Sequence, residues 1–291
     1  MKQQHRHRRA RKMVKVASLF SQLLAHFPRT EFAGLVVKHR AERGAKGFTC
    51  WTQFVAMLFC QVARADSLRE ICNGLARCVG KLVHLGVSRA PNKSTLSYAN
   101  KHRPAAQYED LFWTVLGRFR TQEMLGAKRH KSRFQNKSLS LDSTTVSLCL
   151  AMFRWAKGGV KVHVLLDHTD YMPQYVLITE ARWHNRTVLP HLRLAAGSII
   201  VDGRAYNDYK QFARWTDDGV FFVTRMKENA KAKVVRRRKV PKNSNVLRDE
   251  IIRLTGVGAP EKCPHLLRRI VVWDEHSACE IVLLTNCQQP Q

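Results

Sequence analysis

Apolar residues recur at helical spacing through the first third of the chain. Val16, Leu19, Phe20, Leu23, Leu24 and Phe27 share one helical face until Pro28 interrupts the pattern, and Phe54, Val55, Leu58, Phe59 and Val62 repeat it within Phe48–Arg64. Ser67 and Glu70 form an S-x-x-E capping box that opens a further helix, SLREICNGLARC. The short turn between these last two gives the outline of a helix-turn-helix. Ser94-Thr95 starts the next helix, STLSYANKHR, which must end by Arg103 because Pro104 disfavours helical geometry in the residue before it. Tyr108 to Arg120 reads as one more helix.

Beyond the basic stretch GAKRHKSRFQNK the period shortens to that of strands. Ser138–Val146, Gly159–His168, Pro173–Ala181, Gly197–Asp202 and Gly219–Arg225 are short Val-, Ile- and Leu-rich runs bounded by Gly, Pro and Asp. Helical stretches at Thr187–Leu194 and Tyr206–Thr216 interleave with them. A second strand-rich tract follows, with VRRRKV, NVLRDEIIRL, LLRRIVVW and CEIVLLTN. Three strands, then helix, strand, helix, strand, predict an α/β fold in which a mixed sheet carries helices on its faces. The expected organisation is a disordered basic arm over 1–13, an all-α domain over 14–125, and an α/β domain over 126–291 with a β-rich insertion at about 226–286. The arm is also readable as a solvated tail, or as an over-extended gene start with Met13 as the true first residue.

Charge adds a partner to this outline. The 291 residues carry 50 Lys and Arg against 22 Asp and Glu, a formal charge of +28, and such an excess repels itself unless a polyanion such as nucleic acid is bound. The longest uncharged run, Gly47 to Ala63, is too short and too polar to span a membrane, and the basic N-terminus leads into no secretory signal. Eight dispersed cysteines without a C-x-x-C pair read as reduced core residues of a cytoplasmic protein.

Within STLSYANKHR, the residues Ser94, Ser97, Asn100, Lys101, His102 and Arg103 offer donors to phosphates and base edges; an ordinary solvated helix is the alternative. Asp142 in LSLDSTT and Asp202 in SIIVDGRAY stand at the polar ends of apolar strands, where ligands of open α/β sheets bind. Two such carboxylates can share Mg²⁺ or Mn²⁺ with substrate phosphates, whereas turn chemistry at a strand end explains them equally well from spacing alone. Lys161 and Arg204 are candidate DNA contacts; Lys161 and His163 on one strand either approach the DNA backbone or a metal-bound phosphate or form a surface pair. Asp208 is either a first-turn partner of the helix dipole or a ligand. Arg236, Arg237, Arg238 and Lys239 belong to a basic run suited to phosphate contact.

Taken together, these motifs resemble a known family. DSTT after a strand, then KGGVKVHVLLDH, then a second Asp with RAYNDY after it, then GVFFVTRMKENA, look like the DDE transposases of bacterial insertion sequences, in particular the group typified by insertion sequence four. SLFSQLL, WTQFVAML, SLREI, HLG and STLSYANKHRP are similar to the helical domain that accompanies that catalytic domain, so the resemblance runs from about Val14 to about Asn286. It implies an RNase H-like fold. It also implies that Asp142 and Asp202 are the first two members of a metal-binding acidic triad, which cuts element ends and joins the freed 3′-hydroxyl to target DNA without a covalent protein intermediate. Terminal inverted repeats and target DNA would be the partners, a homodimer the acting form, and the bacterial nucleoid the location.

The pattern departs from the family in definite places. The third acid, a glutamate in Y-x-x-R-x-x-x-E-x-x-x-x-x-x-K, does not occur before Gln291, and Glu250, Glu261, Glu275 and Glu280 lack its context. Gly203 stands between Asp202 and Arg204, and the segment before Lys157-Gly158 is short. These departures predict a C-terminally truncated chain with weak metal binding and impaired transposition. The rival expectation is a catalytically dead DNA-binding remnant that competes with intact transposase. An RNA-processing nuclease of similar fold is a third.

Overall fold

The computed structural model describes residues 19–78, 80–121, 136–146, 159–240, 242 and 244–288. The basic arm, the expected boundary near 125, most of the basic stretch after it, Cys149 and the segment ending at Lys157-Gly158 lie outside the described residues. The chain separates into two compact units, Met1–Arg118 and Phe119–Gln291.

The first unit is built from helices α1 (Leu19–Ala25), α2 (Arg29–Lys38), α3 (Cys50–Ala63), α4 (Leu68–Arg77), a 3-10 turn at Leu82–Leu85, α5 (Lys93–His102) and α6, which runs over Ala106–Thr121. Local signals set their ends. Thr49 caps α3 by accepting from the Thr52 amide, and the Ser67–Glu70 capping box forms as expected, with Ser67 accepting from the Glu70 amide. Arg103 is extended in front of Pro104 and stops α5. The sequence pattern gave no sign of α2. Pro28 is its N-cap, so one proline ends α1's pattern and begins the next helix, and with Phe32 as the buried residue of α2 no apolar stripe marks it. Phe32, Trp51 and Phe54 pack with ring centroids 5.3–5.6 Å apart and form the centre of the unit.

The second unit contains a nine-stranded mixed sheet in the order β3-β2-β1-β4-β5-β9-β8-β7-β6. Its strands are β1 (Ser138–Val146), β2 (Val160–Asp167), β3 (Met172–Glu180), β4 (Ile199–Asp202), β5 (Phe221–Arg225), β6 (Ala232–Arg237), β7 (Val246–Leu254), β8 (Leu267–Asp274) and β9 (Cys279–Thr285). β1 pairs antiparallel with β2 and parallel with β4, and β4 runs parallel to β5. The β6–β9 strands extend the same sheet, with β9 antiparallel to β5.

Leu139, Leu141, Leu165, Ile200 and Phe222 line one face. They are covered by Val188 and Leu189 and by α7 (Tyr209–Asp217), whose Phe212 stacks on Phe222 at 4.4 Å. The opposite face leaves Ile178 63% and Val201 43% exposed. Two helical expectations are corrected. The Thr187–Leu194 stretch is a 3-10 helix, Asn185–His191, which contains Pro190. The Tyr206–Thr216 stretch divides into a 3-10 turn at Arg204–Tyr206 and α7, because Asp208 caps α7 by accepting from the Lys210 and Gln211 amides. A short helix, α8 (Ala259–Lys262), follows β7.

Candidate active site

The parallel pairing of β1 with β4 brings the two singled-out aspartates onto adjacent strands. Asp202 ends β4 opposite Leu141, so Asp142 lies one position further along β1. Strand alternation gives them different surroundings. Asp202 shares the buried face with Leu141 and Ile200 and is 6% exposed, whereas Asp142 is turned to the solvent side. An Asp142 carboxylate oxygen accepts from the Ser143 amide at 2.7 Å.

Neither Asp202 oxygen has a hydrogen-bond partner. Burial pushes its carboxyl up to about 7, opposed by the neighbouring Thr224 hydroxyl. That hydroxyl is itself held by Asn207 Nδ2 at 3.0 Å. A buried carboxylate with two orphaned oxygens takes up either a proton or a cation, so Asp202 by itself fits a hard divalent ion, while Asp142 on the adjacent strand faces the other side of the sheet. Among the described residues no cluster of three or more His, Cys, Asp or Glu side chains has metal-binding geometry.

Around Asp202 lies a polar cluster that the sequence does not announce. His163, expected as a surface residue, is fully buried, with Nδ1 3.2 Å from the Tyr206 hydroxyl and Nε2 3.1 Å from Thr179 Oγ1. Burial and the Lys161 charge hold its pKa below the ordinary histidine value. Tyr206 is also buried. Desolvation pushes its phenol up to about 12, with Asp142 and Asp202 adding to the shift and Ser143 acting against it. Both carboxylates therefore act on one hydroxyl. The available signal is the alternation of β2, in which His163, Leu165 and Asp167 are the buried positions.

The candidate DNA contacts divide into exposed and engaged residues. On α5, Ser94, Ser97, Lys101 and His102 are exposed, and His102 stacks on the exposed Tyr98 at 3.9 Å between ring centroids. Asn100 and Arg103 turn inward: Asn100 Oδ1 accepts from Gln53 at 2.8 Å, and Arg103 donates to Gln53 Oε1 at 3.0 Å and to the Phe48 carbonyl. Lys161 donates to the Trp183 carbonyl and Asn185 Oδ1, and Arg204 pairs with Glu228.

In the basic run, Arg236, Arg237 and Lys239 are exposed, with Arg236 and Arg237 on the edge strand β6. Arg238 is instead bound to Asp249 and to the Gln288 carbonyl. The described cysteines carry free thiols, with Cys50, Cys60, Cys72 and Cys263 buried. No helix among the described residues is long and apolar enough to cross a membrane.

Residues 15–88 match a family described as Domain of unknown function (DUF4372). The chain is 29% identical over 227 residues to "Putative transposase y4zB" of Sinorhizobium fredii (strain NBRC 101917 / NGR234), an alignment covering 75% of this chain and 61% of that protein. It is 31% identical over 106 residues to "Probable transposase for insertion sequence element IS5377" of Geobacillus stearothermophilus, covering 35% and 28% of the two chains. The chain thus spans about three fifths of the first of these relatives and is similar, over most of its own length, to a protein named as a transposase.

Proposed function

We propose that the chain is the DNA-binding and catalytic part of an insertion-sequence transposase of the DDE type, built on an RNase H-like sheet. One observation carries the reading: Asp142 and Asp202 stand on adjacent parallel strands of a 3-2-1-4-5 strand order, and Asp202 is buried with both oxygens unpartnered. The similarity to proteins named as transposases supports DNA as the substrate class.

Bound Mg²⁺ or Mn²⁺ would supply charge for the scissile phosphate and a lowered pKa for the attacking water or 3′-hydroxyl. Asp202 provides a carboxylate whose charge is not already neutralised, and Asp142 provides a second from the solvent side. The exposed face of α5 (Ser94, Ser97, Lys101, His102) and the exposed Arg236, Arg237 and Lys239 would hold the phosphate backbone. A homodimer on the DNA and a nucleoid location belong to the same reading.

DNA binding without cleavage is the second reading, favoured by the pleat that sends Asp142 and Asp202 to opposite faces. The deciding experiment incubates the chain with Mn²⁺ on duplexes bearing its element's ends, beside D142N and D202N. Cleavage lost in both variants with gel-shift affinity retained supports the nuclease. Tight, salt-dependent binding with no cleavage by the unmodified chain supports the second reading.

A further inference from the structure

The exposed residues Ser94, Ser97, Tyr98, Lys101 and His102 of α5 recur at three- and four-residue steps and so form one stripe, opposite the buried Leu96 and Ala99. The chain carries no Asp or Glu between Glu70 and Glu109, whereas Arg77, Lys81, Arg89, Lys93 and Lys101 within that stretch are all exposed. A polyanion therefore approaches the stripe without meeting an acid from the same segment, and duplex DNA, whose major groove admits a helix, fits it.

Two contacts fix the His102 ring within this stripe. It stacks on Tyr98 with centroids 3.9 Å apart and planes 21° from parallel, and its Nδ1 lies 2.9 Å from the Tyr98 carbonyl oxygen. A carbonyl can only accept, so Nδ1 carries the proton, and the neutral imidazole has its lone pair at Nε2. Nε2 has no partner among the described residues, and the residue is exposed. The stripe thus holds one fixed acceptor among donors, since Lys101 can only donate and the hydroxyls of Ser94 and Ser97 rotate to do either. Phosphate oxygens accept and offer a bare nitrogen nothing. Its complement is a donor on a base edge, and in the major groove those donors are the exocyclic amines, adenine N6 and cytosine N4.

We propose that His102, held by Tyr98, determines sequence preference: its Nε2 accepts from the exocyclic amine of one adenine or cytosine in the major groove while Lys101 holds the adjoining phosphate. The inference rests on the reading of α5 as a DNA-contacting helix, and within that face it assigns His102 to a base rather than to the backbone.

The test is a gel-shift series with the full chain on duplexes bearing its element's ends, each base pair changed in turn, beside H102A, Y98F and Y98A. It is run at about pH 8, which keeps imidazoles neutral, with thermal melts in parallel. One adenine or cytosine should be sensitive in the parent, its replacement weakening binding about tenfold, and H102A should flatten that position alone. The salt slope of H102A should match the parent's, because a contact to a base amine releases no counterion. At the sensitive position an analogue lacking only the amine, purine for adenine or 2-pyrimidinone for cytosine, should weaken the parent about tenfold and leave H102A unchanged. Y98F keeps the stack and should read bases as the parent does, whereas Y98A should relax the same position; an intact preference in Y98A removes Tyr98 from the role. A parent without base preference, or an H102A that melts normally and keeps every preference, overturns the inference. So does an H102A that loses affinity evenly across sequences with a salt slope shallower by about one, which places His102 on a phosphate. Failure of the unmodified chain to bind the end duplex at all overturns the DNA reading of α5, and the inference with it.

Discussion

Asp249 and Glu250 on β7 are buried as deeply as Asp202 on β4, at 5% exposure each against 6%, yet their surroundings are opposite. The pleat sends the β7 pair to different faces, and each acid meets an arginine of β8 together with one at the end of β6 or just beyond it. Asp249 takes two parallel bonds from Arg268, at 2.9 and 2.8 Å, with Arg238 at 3.4 Å on its other side. Glu250 is held by Arg269 at 2.5 and 3.0 Å, with Arg237 at 3.7 Å. No described residue donates to either oxygen of Asp202. Buried carboxylates in one sheet thus fall into two kinds. The β7 acids are paired with arginines and tie β7 to β8 and to the end of β6. Asp202 is left open to a proton or a cation, at a cost in stability that a purely structural role would not require.

The contrast is tested most severely by removing a paired acid. Asp249→Ala leaves Arg238 and Arg268, both largely buried, without their counter-charge. It should destabilise the strand-rich unit by about 3–5 kcal/mol in urea denaturation. Arg237→Ala is the control within the same ladder, because that side chain is 84% exposed and only 3.7 Å from Glu250. Its expected cost is below about 1 kcal/mol. A cost for Asp249→Ala no greater than that of Arg237→Ala would erase the distinction between the two kinds of acid.

The next test uses pH. The Asp202 carboxyl ordinarily titrates near 3.8, and in the folded chain near 7. Between these values the folded state holds a proton that the unfolded chain has released, so stability falls as pH rises through the window and is flat above it. The full decline is at most on the order of 4 kcal/mol, at about 1.4 kcal/mol per pH unit. Asp202→Asn should remove this component of the slope and leave the variant more stable than its parent at pH 8. Mn²⁺ should recover part of the loss above pH 7 in the parent and none in the variant. Identical pH profiles for parent and variant would mean that Asp202 is neutralised by other means.

How much of this was readable beforehand depends on the range of the forces involved. The strands carry their own local signal, and Ser138–Val146 is the same segment in sequence and structure. The Ser67–Glu70 cap is likewise settled within four residues. The pairing of arginines with acids is not local. Register shifts between Val234 and Arg236 and between Val246 and Arg248 decide which guanidinium meets which carboxylate, and a linear run of basic residues gives no hint of either. His163 is misread for a related reason. Beside Lys161 it suggests a wet strand face, but Tyr206, 43 residues away, covers that face and satisfies the ring. Asp142 and Asp202 stand out in sequence as acids that follow apolar strand residues, but only Asp202 ends its strand, whereas Asp142 lies in the middle of β1, which runs on to Val146. The difference in their burial required the β1–β4 register.

The smallest expected effect concerns Gly203, which stands between Asp202 and Arg204. Its backbone, at φ −90° and ψ 167°, is open to any residue, and a Cβ built there meets no atom within 4 Å. Nothing in the fold therefore requires glycine, and Gly203→Ala should change stability by less than about 0.5 kcal/mol. What glycine does allow is the close approach of a ligand to the main chain beside Asp202. Measuring Mn²⁺ and DNA affinity in this variant separates two uses of the same turn. Unchanged values place incoming phosphate away from the Gly203 backbone and leave Asp202 as the reason for the open charge. A tenfold loss of DNA affinity with an unaltered melt would put the DNA backbone against this turn. The unpaired carboxylate, which the arginine-clamped acids of β7 lack, would then be matched by bare backbone kept clear for the substrate.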